Sequence, residues 1–265
     1  MEVKSKRDKY TKTYDVGDGA FEIESSPEPI HYLEDGKWKE INRNIKEVDD
    51  TVYPYQVQNN AIKSYFKDDP TSKEVVRLEE DKGYLTFEPI SMRYGNNSGE
   101  TELIAEPSDA GVSIEDNVIN YLNAFPKVDD EFIVNADDVK DNLILKEMPS
   151  QTSLTGEVYL EFVDIINFEG ELVTDGEVVR STHVTSNEIE VRNKRGQHVF
   201  TIPELLIFEK NNRGNSVIGE YKITFKNDEC YLVSRVPYDW LTNENRDFPV
   251  VVDPNTTLKA QYDTG

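Results

Sequence analysis

Cysteine is nearly absent from this 265-residue chain: Cys230 stands alone, so no internal disulfide can form. It enters a strand in Asp228-Glu229-Cys230-Tyr231-Leu232 and reads as a buried, inert thiol. Long apolar runs are missing too, and none approaches the roughly 18 residues of a membrane span. The opening residues, Met1-Glu2-Val3-Lys4-Ser5-Lys6-Arg7-Asp8-Lys9, hold no apolar core of a secretory leader. Histidine is scarce. His31, His183 and His198 lie far apart, without cysteine or carboxylate partners at metal-ligand spacing, which argues against a zinc centre. Neither a Gly-x-x-x-x-Gly-Lys-Ser/Thr loop nor a Gly-x-Ser-x-Gly elbow occurs, and Gly17-Asp18-Gly19 is turn chemistry rather than a phosphate cradle. No unit of about 20–50 residues repeats. Basic side chains are outnumbered 29 to 52, leaving a net charge of −23, and so acidic a surface repels nucleic-acid phosphates.

What is present is aromatic and strand-like. The 14 Tyr, 11 Phe and 2 Trp suit pleated, half-buried surfaces, and 37% hydrophobic residues suffice for a folded core. Residues 1–12 carry five basic and two acidic side chains without apolar periodicity, which predicts a flexible basic arm able to dock on an acidic neighbour. From Tyr14 the pattern changes. Ala20-Phe21-Glu22-Ile23-Glu24 alternates at period two until Ser25-Ser26-Pro27-Glu28-Pro29 breaks it. Asp35-Gly36, flanked by Ile30, Tyr32, Trp38 and Ile41, calls for a type I′ hairpin.

Short strands recur to Asn142-Leu143-Ile144-Leu145-Lys146, lapse at Met148-Pro149-Ser150-Gln151-Thr152-Ser153, and resume at Val158-Tyr159-Leu160-Glu161-Phe162. Turns then follow at Glu169-Gly170, Asp175-Gly176, Lys194-Arg195-Gly196 and Asn227-Asp228. Such spacing, with a turn every 8–12 residues or so, predicts an all-β fold with little helix. The architecture expected is two packed β-sandwich-like lobes of short antiparallel strands. The arm spans 1–12, the first lobe 13–150, the second lobe 151–258 and a tail 259–265. One helical turn, Pro237-Tyr238-Asp239-Trp240-Leu241, precedes a closing strand, Val250-Val251-Val252, bracketed by Pro249 and Pro254. That strand is expected to complete the sheet of the second lobe.

Several blocks together resemble a known module. Pro29-Ile30-His31-Tyr32 with Gly36-Lys37-Trp38 is similar to the opening of DNRLRE-domain proteins and of some wall-associated, RHS-type proteins. Tyr53-Pro54-Tyr55, Ala61-Ile62-Lys63-Ser64-Tyr65-Phe66 and Leu85-Thr86-Phe87-Glu88-Pro89 fit the next blocks. Asn120-Tyr121, Phe125-Pro126-Lys127-Val128-Asp129 and Val139-Lys140-Asp141-Asn142-Leu143-Ile144-Leu145 continue the order, and Phe200-Thr201-Ile202-Pro203, Trp240-Leu241 and Phe248-Pro249-Val250-Val251-Val252-Asp253-Pro254 close it. The resemblance covers about residues 13–255 and implies a non-catalytic leader of surface, fibre or phage-borne structural proteins.

With no apolar leader and eleven residues after Pro254, the expectation is a structural subunit of a virion, from a phage or archaeal virus, or of a cell-surface fibre. Its place would be a virion, tail- or capsid-associated, or the extracellular surface. Its partners would be other subunits, in a homo-oligomer, with no nucleic acid and no membrane span. The alternative is a carbohydrate-binding attachment module with a surface glycan as ligand, in which Tyr53, Tyr55, Tyr65 and Tyr94 form a stacking platform.

Enzymatic activity is not expected, nor a cofactor, a metal or a catalytic residue. The acid pairs Asp49-Asp50, Asp68-Asp69, Asp129-Asp130 and Asp137-Asp138 arise readily among 52 acids, and Asp129-Asp130 reads as a turn. The interface or structural candidates are Trp38, Tyr53, Tyr55, Tyr65, Trp240 and Phe248.

Overall fold

The computed structural model describes residues 1–108 and 111–258, so the expected tail at 259–265 lies outside the described residues. Two hairpins open the chain: β1 (Thr11–Gly17) pairs with β2 (Ala20–Ser25), and β3 (His31–Glu34) with β4 (Lys37–Glu40). Next come β5 (Lys46–Glu47), β6 (Tyr55–Val57), β7 (Lys63–Phe66), β8 (Val76–Glu80), β9 (Gly83–Asn96) and β10 (Thr101–Ala105). They are followed by β11 (Gly111–Glu115), β12 (Val118–Phe125), β13 (Val128–Val134) and β14 (Asp138–Leu145). Past residue 150 lie β15 (Val158–Phe168), β16 (Glu171–Thr174), β17 (Glu177–Val178), β18 (His183–Thr185), β19 (Ile189–Arg192) and β20 (His198–Ile202). The chain continues with β21 (Leu206–Glu209), β22 (Asn212–Ile218), β23 (Glu220–Lys226) and β24 (Glu229–Pro237). The helical turn α1 (Tyr238–Leu241), β25 (Val250–Asp253) and β26 (Thr256–Thr257) end it.

The all-β expectation holds. One sheet runs β18-β23-β24-β15-β9-β8-β7-β6-β5, with β10 beside β9. The other runs β11-β12-β13-β14-β26-β20-β19-β16-β17, and β25 lies between β14 and β21, with β22 beyond β21. Their inner faces meet in one hydrophobic cluster. Phe66 of β7 packs on Phe132 of β13 at 5.7 Å between ring centroids, and Phe125 of β12 on Phe162 of β15 at 5.9 Å.

The stretches 13–150 and 151–258 each supply a contiguous part of both sheets, but no boundary separates them. β9 and β15 pair from Asn96↔Val158 to Leu85↔Phe168. In the other sheet β25 pairs with β14 on one side and β21 on the other. All four β25 residues are buried, so both edges of that strand need a neighbour. The closing strand therefore joins the two parts instead of completing one, and the expected split at 150 is a seam.

The flexible arm is also corrected. Residues 4–6 form a 3-10 turn, Val3 N–H donates to the Thr13 carbonyl at 2.8 Å, and the Met1 ammonium donates to the Asp15 carbonyl at 2.7 Å. Arg7 donates to both oxygens of Glu2, at 2.6 and 2.8 Å, and to Glu40 at 2.8 Å. Counting charges treated these lysines and arginines as solvated. Arg7 and Lys12, paired with Glu2 and Glu40, instead tie it down.

One strand carries charge on an unusual face. In β15, Leu160, Phe162 and Ile166 belong to the common core, while Glu161 points the other way. Glu161 is 2% exposed, accepting from Arg93 at 2.8 Å and Arg235 at 3.2 Å. Arg235, also 2% exposed, donates to Glu220 at 2.8 Å and Asn97 at 2.8 Å, and its guanidinium lies 3.7 Å from the Tyr159 ring centroid. Gly95 makes room for this network: a Cβ there would come within 2.5 Å of the Glu161 carboxylate.

Candidate functional site

The β3–β4 hairpin forms because Asp35 and Gly36 adopt φ of 52° and 71°, the left-handed pair a type I′ turn requires. The hairpin lies over a cleft of about 770 Å³, walled by Asn60, Ala61 and Lys63, by the β8–β9 turn at 79–82, by Ala136 and Asp137, and by residues 197–199. Both sequence halves thus contribute to it. Asn193 ties the rim together, donating to the Lys82 carbonyl at 3.1 Å.

His31, 1% exposed, lines the cleft. Its Nδ1 sits 2.7 Å from the Asp8 carbonyl. A carbonyl only accepts, so Nδ1 carries a proton, while Nε2 is buried without a hydrogen-bond partner. Glu34 accepts from Lys39 and, at 2.8 Å, from Lys63. These two hydrogen bonds, Lys39's the larger, pull its carboxyl down to about 2. On the far wall, His198 Nε2 lies 2.8 Å from Thr201 Oγ1. Lys9, Lys63 and Lys82 line the cleft, against Glu34, Glu79, Glu80, Asp81 and Asp137, so it is net acidic.

Glu2, His31 and Glu40 place one carboxylate oxygen each and one imidazole nitrogen within 4.8 Å of one another. Arg7 already supplies the cation for both carboxylates, and a metal ion there would have to displace it.

The sequence candidates scatter. Trp38 is half-buried and lines the cleft, so the hairpin aromatic and His31 come together there. Tyr53 and Tyr65 pack against each other at 5.9 Å, but their rings are inclined by 58°. The Tyr53 hydroxyl donates to the Glu74 carbonyl at 3.1 Å, and burial pushes it up to about 12. Tyr55 is half-buried against the core. Tyr94 is fully buried, with Tyr238 edge-on at 5.4 Å. The four tyrosines form no coplanar platform, because two pack inward and the other two tilt.

Trp240 and Phe248 are half-buried against the core, far along the chain from the hairpin. The Arg246 guanidinium stacks 3.4 Å from the Trp240 ring centroid and donates to the Trp240 carbonyl. Cys230 is buried in β24, and burial pushes its thiol up to about 12. His31 as a cleft residue is missed from sequence, where the histidines are weighed only as metal ligands. Its position as the first residue of the hairpin is the available signal.

No protein-family model matches the chain, and no solved structure does. Curated proteins do. The chain is 24% identical over 273 residues to "tRNA nuclease WapA" of Bacillus subtilis strain 168 and to "tRNA(Glu)-specific nuclease WapA" of Bacillus subtilis subsp. natto. It is 23% identical to "tRNA3(Ser)-specific nuclease WapA" of Bacillus spizizenii. Each match covers 99% of this chain, and the chain spans 11% of the length of these relatives. Relatives named as nucleases overturn the expectation of a virion or surface-fibre structural subunit, together with its glycan-binding alternative. They equally overturn the expectation that no enzymatic activity is involved. The strand and turn blocks behind those expectations specify a sandwich, and a sandwich by itself names no setting or chemistry.

Proposed function

We propose that this chain works as part of a tRNA nuclease, forming a rigid β-sandwich module of that protein. The observation that carries the reading is the match along 99% of the chain to proteins named for tRNA cleavage. The seams at β9–β15 and β14–β25 support a module that acts as one body, because both halves share a core. The net charge of −23 means tRNA would not spread over the broad sheet faces. Within the fold, the cleft under the β3–β4 hairpin gathers His31 and His198 with three lysines, although acids outnumber those lysines in its lining. His31 Nε2 is buried in the cleft wall without a hydrogen-bond partner, and Lys63 is paired with Glu34, which leaves Lys9 and Lys82 as the other cations lining it.

The test is a replacement. This chain substitutes for the matching 273-residue segment in the Bacillus subtilis strain 168 relative, and cleavage of tRNA is followed by gel. Retained cleavage is expected. A chimera that is folded and full-length yet leaves tRNA intact would contradict the reading. Incubating the isolated chain with tRNA, beside His31→Gln, then shows whether bond breaking lies in the cleft: cleavage lost in the variant would assign it there.

A further inference from the structure

β13 reads Val128-Asp129-Asp130-Glu131-Phe132-Ile133-Val134 and buries every second residue, so Asp130 occupies a core position between Val128 and Phe132. The expected turn at Asp129-Asp130 is in fact strand. On β14, Asp141 lies opposite Phe132 and shares its face with Val139 and Leu143. On β15, Asp164 shares the inward face with Phe162 and Ile166 by unbroken alternation, opposite a bulge at Ile90 of β9. The three carboxylates, with Val75, Phe87, Phe125 and Phe162 among the apolar walls, line a cavity of about 20 Å³ between the sheets. That is room for about one water molecule.

Asp130 is 4% exposed, and Oδ1 of both Asp130 and Asp141 has no hydrogen-bond partner. Asp141 and Asp164 keep some accessible surface but are densely surrounded by protein atoms, and that crowding governs their solvation. The groups facing the trio offer no relief. Glu131 neighbours Asp130 on β13, Tyr121 faces it from β12, and Asp253 of β25 and Tyr221 of β23 act on Asp141 or are acted on by it. None of the strongest influences on the three is a cation.

Three adjacent anions in an apolar cavity, without a lysine or arginine, are not a stable arrangement; protonation removes the charge instead. We propose that Asp130, Asp141 and Asp164 are held protonated within the folded sandwich, and that their ionisation loosens the packing of one sheet on the other. The cluster joins β13 and β14 of one sheet to β15 of the other, so it acts across the layer between them.

The electrostatics agree in direction. Burial is the main cause for all three. It pushes Asp130 up to about 7, against an opposing hydrogen bond with Asp141. Asp141 is pushed well above the usual carboxylate range by burial and then by the charge of Asp130, and Asp164 by burial and then Asp130. In the unfolded chain these groups lose their protons near the ordinary aspartate value. From there up to about pH 7 the folded state holds protons that the unfolded state has released, so the cluster's contribution to stability falls as pH rises.

The experiment compares thermal unfolding of the wild-type chain, Asp130→Asn and Asp164→Asn at about pH 5 and about pH 8. Asparagine keeps the shape of a protonated aspartate and cannot ionise. At the higher pH each variant is expected to melt about 5 °C or more above wild type, with the difference shrinking at the lower pH. Equal differences at both pH values would overturn the proposal. Infrared spectra at about pH 6 give a second readout: a carboxylic-acid carbonyl band in the wild-type chain that weakens in Asp130→Asn supports the proposal, and no band, or one unchanged in the variant, overturns it. Calcium chloride is the third arm. A rise in wild-type melting temperature at about pH 8 that Asp130→Asn abolishes would show a cation site in place of protons, overturning it too.

Discussion

The two faces of β15 bury charge in opposite ways. On one, Glu161 is held by Arg93 and Arg235, and Arg235 in turn by Glu220, Asn97 and the face of Tyr159. On the other, three residues along the same strand, Asp164 meets Asp130 and Asp141 with no cation among the strongest influences on them. Both clusters lie beside the seam where the halves of the chain join, and both remove carboxylates from water. The difference teaches how a protein of net charge −23 can bury acids at all. It either surrounds the carboxylate with guanidinium donors or keeps it neutral with a proton.

The largest expected effect comes from breaking the paired face. Arg235→Met leaves Glu161 buried with only Arg93, and should cost about 3–5 kcal/mol in urea unfolding. The double variant Arg235→Met with Glu161→Gln should recover much of that loss, because the orphaned charge goes with it. If the double variant is as unstable as the single, packing around Arg235 matters more than its charge.

A smaller loss is expected at Gly95. Gly95→Ala would drive a methyl group within 2.5 Å of the Glu161 carboxylate, at a cost of about 1–3 kcal/mol. Guanidinium-induced unfolding measures it. The loss should shrink in a Glu161→Ala background, where the obstructing carboxylate is gone.

The smallest effect belongs to a pair on the surface, which sharpens the contrast with both buried faces. Glu34, held low by Lys39 and Lys63, stabilises the fold above the ordinary glutamate range, and that contribution fades as pH falls toward about 2. Glu34→Gln should cost at most about 1 kcal/mol near neutral pH and nothing in strong acid. Added salt should weaken the effect, whereas the Arg235 result should barely respond to it. Thermal melts at low and high ionic strength separate the two.

Much of the local structure was legible from the sequence. Asp35-Gly36 takes the φ pair of a type I′ turn, Asp175-Gly176 takes the same combination, and the turn at Pro237–Leu241 and the strand at Val250–Val252 stand where the pattern puts them. These features depend on residues close in sequence. The charged faces of β15 were not legible, because Glu161 finds Arg235 across 74 positions, and no local rule states which strands will pair. Asp130 was misread for a different reason. Adjacent aspartates favour turns, yet the alternation of Val128, Phe132 and Val134 around them sets an inward register that outweighs that preference. In the cleft, Trp38 was singled out, but the place of His31 depends on the Asp8 carbonyl, 23 positions earlier, which its Nδ1 meets only in the fold.

The central claim is that one face of β15 is neutralised by cations and the other by protons. The most direct test is the slope of unfolding free energy against pH, measured by urea titration from about pH 5 to about pH 7. It is compared between the wild-type chain and the triple variant Asp130→Asn, Asp141→Asn, Asp164→Asn. The account predicts that wild-type stability falls relative to the variant as pH rises, by about 1.4 kcal/mol per pH unit for each proton held. Parallel slopes would contradict it, showing that these aspartates are ionised in the folded sandwich.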